Sequence, residues 1–222
     1  TAYITFNRPE RMNAFRMETY FEVLEALQDA GWNPDIGSIV LTGAGGKAFC
    51  TGGDQVGNRK SERNRRGIIG VPVEEIHACL REVPKPVIAK VRGFAIGGGN
   101  VMCTLCDLTI ASDNAIFGQV GPKVGSVDPG FGTALLAHVV GEKKAREMWY
   151  LCRRYSAEEA LNMGLVNAVY PDDELDEKVD EWCAEINTKS PTAIAIAKRS
   201  FNADTEHIRG IGMLGFQALK QY

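Results

Sequence analysis

The chain has 222 residues, 45% hydrophobic and 24% charged, an ordinary globular composition with length for one domain around one sizeable core. A net charge of −3 provides no global basic field to recruit nucleic acid or an anionic membrane surface, and no apolar run approaches the roughly 18 residues of a membrane span. Cys50, Cys79, Cys103, Cys106, Cys152 and Cys183 lack the regular spacing of a small secreted scaffold, so a reduced, cytoplasmic protein is expected.

Strand-like and helix-like segments alternate along the chain. Ala2 to Asn7 alternates like a strand, with no signal-peptide pattern in front of it, and the lack of an initiator Met leaves room for residues upstream. Met17 to Ala30 carries Phe21, Leu24 and Leu27 at helical spacing. Ser38 to Thr42 is β-rich and bounded by glycine, so it reads as a buried strand, and Gly43 to Gly57 reads as glycine-rich loop. Asn58 to Gly70 is polar and basic. Helical periodicity returns over Val73 to Val83 and ends at Pro84-Lys85-Pro86. Val87 to Val91 is a second buried strand, Gly97 opens a helix to about Cys106, and Leu108 to Ala111 and Ala115 to Phe117 are short strands. The rest reads mainly as helix: Lys143 to Leu151, then Ala157 to Met163 behind a Ser156/Glu159 capping box. Glu174 to Asn187 and a last helix starting at Ser190-Pro191 follow. Repeated β-then-α units followed by helices imply an α/β fold without a linker.

Several motifs have plain readings. Gly43-Ala44-Gly45-Gly46-Lys47-Ala48 fits G-x-G-x-x-A, but more loop follows it where a dinucleotide fingerprint needs a helix. Cys103-Thr104-Leu105-Cys106 is one C-x-x-C without a second pair, so buried thiols are expected and no metal site. His77, His138 and His207 stand without triad-like neighbours, and His138, in an apolar helix, is expected to be structural. The run from Arg59 to Arg66 fits a solvated loop, a lid over anionic substrate groups, or an RNA-binding surface. Gly97-Gly98-Gly99 at a helix start is more informative. The first N–H groups of a helix have no intrahelical acceptor, and glycine lets a ligand approach them closely, which makes an oxyanion site. Thr51-Gly52-Gly53-Asp54 is a second such turn.

Taken in order, Arg8-Pro9-Glu10-Arg11-Met12-Asn13-Ala14, Ala48 to Asp54, Lys85 to Ala89, Gly93 to Gly99, Cys106 to Ala111, Phe117-Gly118-Gln119 and Gly164 to Asn167 resemble the crotonase (enoyl-CoA hydratase/isomerase) superfamily over nearly the whole chain. The resemblance implies a ββα superhelix over 1–189, and then, over 190–222, the start of a C-terminal helical region that makes trimers or hexamers. It implies an acyl-CoA substrate, and an oxyanion hole from the N–H groups of Gly53 and Gly98. It also implies substrate or CoA contacts from Arg11, Ala14, Ala48, Thr51, Gly52, Asp54, Gln55, Gly97, Val101 and Lys123.

Hydratases of this family carry glutamates where this chain has Val101 and Gly121, so hydration by a glutamate pair is disfavoured. Gly121-Pro122-Lys123-Val124-Gly125-Ser126-Val127-Asp128-Pro129-Gly130 is similar instead to the branch holding 2-ketocyclohexanecarboxyl-CoA hydrolase and 1,4-dihydroxy-2-naphthoyl-CoA synthase, and closer to the hydrolase. One opens a β-keto ring and the other closes a ring; both need a stabilised thioester enolate and a proton-transfer group. That group is expected to be Asp128, steadied by Ser126, which shares its face in an extended segment. The competing reading makes Asp128-Pro129-Gly130 a capped turn. The branch also implies a bicarbonate ion against Gln119, Gly121 and Trp149, and a tyrosine from a C-terminal segment that would lie past Tyr222. A non-catalytic CoA- or RNA-binding member of the same fold remains an alternative.

Overall fold

A computed structural model describes residues 1–54 and 68–219. Two sheets carry the architecture. The larger has the order β1 (Ala2–Phe6), β2 (Ile39–Gly43), β4 (Val87–Val91), β6 (Leu108–Ser112), β9 (Ala168–Tyr170), all parallel. The smaller runs β3 (Ala48–Cys50), β5 (Phe94–Ile96), β7 (Ile116–Gly118), β8 (Arg154–Ser156), with β8 antiparallel. Strands that follow each other in the chain, such as β2 and β3 or β4 and β5, lie in different sheets. The chain thus steps from one sheet to the other in each repeat, as a ββα superhelix does.

The apolar runs seen in sequence explain the layering. Ile39, Leu41, Val87, Ala89, Val91 and Ala111 face the main core, where they meet Phe49, Phe117, Val101 and Met102. Their neighbours Val40, Ile88 and Ile110 face the other way and are covered by Leu175, Val179 and Cys183 of α8 (Leu175–Asn187). A strand buried on both faces reads as a continuous hydrophobic run, and β2 and β4 do. Helix α1 (Met17–Trp32) packs Val23, Leu24 and Leu27 inward, and α2 (Val73–Glu82) packs Ile76, His77 and Leu80. Helix α3 (Gly98–Leu105) is buried almost all round.

The helices beyond are α4 (Gly121–Val124), a five-residue π turn (Phe131–Leu135), α5 (Leu136–Val140), α6 (Glu142–Leu151), α7 (Ala157–Asn162), α9 (Pro191–Asp204) and α10 (His207–Leu219). The expected caps form: Ser156 Oγ accepts from Glu159 N at 3.2 Å, Glu159 returns the bond to Ser156 N, and Ser190 Oγ accepts from Ala193 N.

Four strands escape a reading of the sequence. β3 lies inside the stretch read as loop, and β5, β8 and β9 are also three residues long, too short to show a period. All six cysteines are free and buried. His138 corrects another expectation. It falls on the outer face of α5, with its side chain 60% exposed and 3.8 Å from Asp204. No helix among the described residues is long and apolar enough to cross a membrane.

Candidate active site

Asn13 builds one side of the site. Its backbone is left-handed, at φ 55°, and its amide nitrogen donates to Ala44 O at 3.0 Å and Ala48 O at 2.6 Å while its oxygen accepts from Arg8 N. One buried amide thus joins the N-terminal loop to both ends of the β2–β3 connection. Phe15 then pairs with the Thr51–Asp54 turn: Phe15 N donates to Gly52 O and Asp54 N to Phe15 O, both at 2.8 Å. Asp54 is held below by Arg8 Nη2 at 3.0 Å and Arg11 at 3.6 Å. Because Asp54 is nearly buried and Arg11 half exposed, Asp54 anchors the turn while Arg11 keeps a face to solvent. Ala48 and Gly52 are buried, and Ala14 and Thr51 partly so; Thr51 Oγ1 donates to Met12 O.

The second turn lies directly on the first. A β-carbon on Gly98 would stand 3.1 Å from Gly52 Cα, and one on Gly52 would stand 2.9 Å from the Gly98 nitrogen. Gly52 and Gly97 both have positive φ, 82° and 59°, so the close approach and the turn geometry each require glycine. Gly99 is tighter still, with Cys50 O only 2.0 Å from where its β-carbon would be. Gly98 is the first residue of α3 and is exposed, so its N–H sits at the positive end of the helix with no acceptor inside it. Cys50 beneath is no nucleophile: burial pushes its thiol up to about 12.

The third component runs from β7 through the π turn. Gly125, left-handed at φ 67°, closes α4, and the chain then extends through Ser126 and Val127 to Asp128. Ser126 is exposed, Val127 packs on the core, and Asp128 turns inward with a side chain 15% exposed. Asp128 Oδ1 accepts from Gly132 N at 2.9 Å, so the carboxylate does cap the turn that follows. Its other oxygen, Oδ2, faces His77 Nε2 at 3.6 Å. Burial raises the Asp128 carboxyl above its ordinary value, with His77 and the Gly132 N–H opposing. The bare α-carbon of Gly132 touches both Asp128 and Val101; a β-carbon there would lie 2.7 Å from Asp128 Cβ and 3.0 Å from Val101 Cγ2. Helix α10 clamps the segment from outside, where Gly212 and Gly215 let its backbone close onto Gly130 and Pro129.

Two glycine turns in contact, on a ββα frame with a buried carboxylate beside position 101, narrow the family sharply, and comparison with known proteins decides it. Residues 1–217 match the family model described as enoyl-CoA hydratase/isomerase. This chain belongs to the crotonase (enoyl-CoA hydratase/isomerase) family. An enoyl-CoA hydratase from Mycobacterium avium subsp. paratuberculosis K-10 is 30% identical with a TM-score of 0.86, over 99% of this chain and 84% of that one. An enoyl-CoA hydratase from Bacillus anthracis is 29% identical with a TM-score of 0.83, over 99% and 92%. A monofunctional enoyl-CoA isomerase from M. smegmatis is 30% identical with a TM-score of 0.78, over 92% and 88%.

Within this crotonase fold the other expected site residues fall unevenly. Lys123 is exposed on α4, and Gln55 and the basic run at 59–66 lie outside the described residues. Val101 is 1% exposed and belongs to the core, so its side chain meets Gly132 where a direct substrate contact was expected. The expected bicarbonate fits poorly. The Trp149 indole N–H donates to Gly132 O. The space beside Gly121 is filled by Ser126 O and the Trp149 ring, 2.3 and 2.6 Å from where a β-carbon would be. Only the buried Gln119 amide nitrogen is left without a partner among the described residues. Asp128 also differs from expectation in its surroundings: its hydrogen bond comes from Gly132 N, and His77 faces it at 3.6 Å. The Ser126 hydroxyl has no hydrogen-bond partner among the described residues, and it is exposed because Val127 takes the inward-facing place.

Two residues were missed. His77 is 2% exposed and packs edge-on against Phe131, with ring centroids 5.4 Å apart. Tyr20 lies close enough to Cys50 and Asp128 for both to hold its phenol protonated, after burial as the main cause. A lone histidine and a lone tyrosine on amphipathic helices give no sequence signal. Their partners are far along the chain.

Proposed function

We propose that this crotonase opens the ring of a cyclic β-ketoacyl-CoA by hydrolysis, as in the conversion of 2-ketocyclohexanecarboxyl-CoA to pimeloyl-CoA. The observation that carries the reading is the exchange of carboxylates. The positions that hold glutamates in hydratases are Val101 and Gly121 here, and the carboxylate beside position 101 belongs to Asp128. A water addressed by Asp128 loses a proton to it as its oxygen bonds to the ring ketone carbon. The ring carbon–carbon bond breaks, its electron pair enters the thioester as an enolate, and the N–H groups of Gly53 and Gly98 stabilise that oxyanion. Asp128 then returns its proton to the α-carbon. Ser126, exposed at the mouth of this segment, donates to the second carbonyl. Arg11 and Lys123 suit the CoA phosphates.

Six unpaired thiols fit a reducing, cytoplasmic compartment. Ile196, Phe201 and Leu214, exposed at 65, 79 and 69% on α9 and α10, support a homotrimer or hexamer. Purified protein should be assayed with 2-ketocyclohexanecarboxyl-CoA, succinylbenzoyl-CoA and crotonyl-CoA. Ring opening of the first is expected. Turnover of succinylbenzoyl-CoA alone would make the enzyme a naphthoyl-CoA synthase, and hydration of crotonyl-CoA alone would remove the argument from Val101 and Gly121.

A further inference from the structure

We propose that His77 is a positioning residue for Asp128, presenting Nε2–H to Oδ2 so that the carboxylate stays fixed as an anionic proton acceptor. The inference rests on the role given to Asp128 in ring opening, but the pairing itself stands on geometry. His77 is fully enclosed, its Nε2 is 3.6 Å from Asp128 Oδ2, and its Nδ1 has no partner among the described residues. At 3.6 Å the two atoms face each other just short of a hydrogen bond, which a small rotation of the Asp128 carboxyl would complete.

The unpartnered nitrogen fixes the tautomer. A proton on Nδ1 would bury an N–H with no acceptor among the described residues and turn the Nε2 lone pair onto a carboxylate. A proton on Nε2 turns an N–H onto the carboxylate and leaves Nδ1 bare. Phe131, edge-on to the ring, holds this orientation, and Gly132 N occupies the other carboxylate oxygen. Asp128 is therefore gripped from both sides by neutral donors.

The charged and titratable surroundings agree. On its own helix His77 feels Glu74, whose Oε1 accepts from Ile68 N and whose Oε2 is buried without a partner among the described residues. From the segment before the π turn it feels Asp128. Arg81 is one turn further along α2, stacked over the Phe131 ring at 5.4 Å, and Tyr20 on α1 faces Asp128. Burial outweighs both carboxylates and keeps the imidazole neutral, so it donates without becoming a competing acid.

The chemistry then asks one thing of His77. When Asp128 takes the proton of the attacking water, Nε2–H keeps the acceptor oxygen in place, and its loss makes the buried carboxylate harder to ionise. The test is the pH dependence of kcat/KM in the full-length enzyme, for wild type, His77→Phe and His77→Gln. His77→Phe keeps the ring against Phe131 and loses the donor. Its acidic limb should move up by about one pH unit, giving about a tenfold loss on that limb that recovers at alkaline pH. His77→Gln keeps an N–H and should restore most of the limb. Carbon-13 NMR of the Asp128 carboxyl, assigned with Asp128→Asn, should show the same displacement without any substrate. Nitrogen-15 NMR of His77 in the wild-type protein should show the proton on Nε2, a reading that survives even if His77→Phe does not fold. An unmoved limb and carboxyl titration in His77→Phe, or a proton on Nδ1, overturns the proposal. A displaced carboxyl titration in an enzyme that opens no ring substrate would instead overturn the ring-opening reading and leave the pairing intact.

Discussion

The two halves of this site are built on different principles. The half proposed as the oxyanion hole is backbone. The Thr51–Asp54 and Gly97–Gly99 turns touch each other with no side chain between them, each tied to a β-strand, and Asn13 holds the loops around them. The half proposed for acid–base chemistry is side chain. Asp128 hangs from an extended segment, and its surroundings come from four other elements: Val101 on α3, His77 on α2, Gly132 in the π turn and Tyr20 on α1. A backbone N–H is set by the fold and is lost only to proline, so on the proposed reading it is the part that one frame can lend to many reactions. On the same reading, a side-chain acid moves from position 101 to position 128 without disturbing the frame. Such a division lets one backbone frame serve several reactions.

The sharpest way to break the comparison is to put a side chain into the backbone half. Gly99→Ala places a β-carbon 2.0 Å from Cys50 O and 2.8 Å from Cys50 C, both main-chain atoms that no rotamer change can move. Loss of folded protein is expected, seen as insoluble expression or a melting temperature lowered by ten degrees or more. That is the scale of a strain of several kcal/mol in a chain of this size. A soluble Gly99→Ala enzyme of normal stability would show that the two turns are less tightly opposed than the geometry requires.

In the side-chain half the largest effect should come from Asp128→Asn, which keeps the oxygen that accepts from Gly132 N and loses the base. Turnover is expected to fall by about two to four orders of magnitude. Stability should respond with a definite sign. The folded-state carboxyl is raised above its ordinary 3.8, so its contribution is fully present below 3.8 and is lost as pH rises through the folded-state value. Asparagine carries no such term, so the melting temperature of the variant should gain on wild type across that rise. His77, depressed by burial, acts with the opposite sign, losing its contribution as pH falls through its own folded-state value. A variant that loses melting temperature at every pH would make Asp128 a turn-former first.

The two glycine turns were readable from sequence because glycine alone tolerates what each position asks: a positive φ at Gly52 and Gly97, and backbone contact at Gly52 and Gly99. The long helices were readable too, since α1, α2 and α8 repeat their apolar residues over several turns. The three-residue strands β3, β5, β8 and β9 were not, because they are defined by partners elsewhere in the chain. His77 was hidden for the same reason. What matters about it is Asp128, and nothing within several residues of either one announces the other. Ser126 and Asp128 misled in a smaller way: alternation put them on one face, while Val127 packing on the core sends the serine out to solvent.

A subtler substitution separates donor from shape in the oxyanion half. Gly98→Pro removes the N–H at the first position of α3, where proline suits a helix. Gly98→Ala adds the same β-carbon, 3.1 Å from Gly52 Cα, and keeps the N–H. Proline should lower kcat by about a hundredfold or more, the usual effect of removing one oxyanion donor. Alanine should lose about tenfold or less, the Gly52 turn giving by a few tenths of an ångström. Equal losses in the two variants would assign the effect to crowding and take the Gly98 N–H out of the oxyanion hole.

The smallest effect should be at Ser126, and it tests how the two halves meet. The hydroxyl is exposed and makes no bond to Asp128, so removing it does not change the acid–base pair. In the proposed mechanism Ser126 offers one neutral hydrogen bond to the second carbonyl of the substrate, worth about 0.5–1.5 kcal/mol net. Ser126→Ala should therefore lower kcat/KM by roughly twofold to tenfold, with the acidic limb of the pH profile where it is in wild type and no change in melting temperature. The unmoved limb is the informative part, because His77→Phe is expected to move it. If Ser126→Ala moved the limb as well, or lowered kcat a thousandfold, the serine would turn inward in the working enzyme and Asp128 would depend on it directly. The side-chain half would then include a rearrangement of the Gly125–Asp128 segment that the backbone half, locked by its glycine contacts, has no room to make.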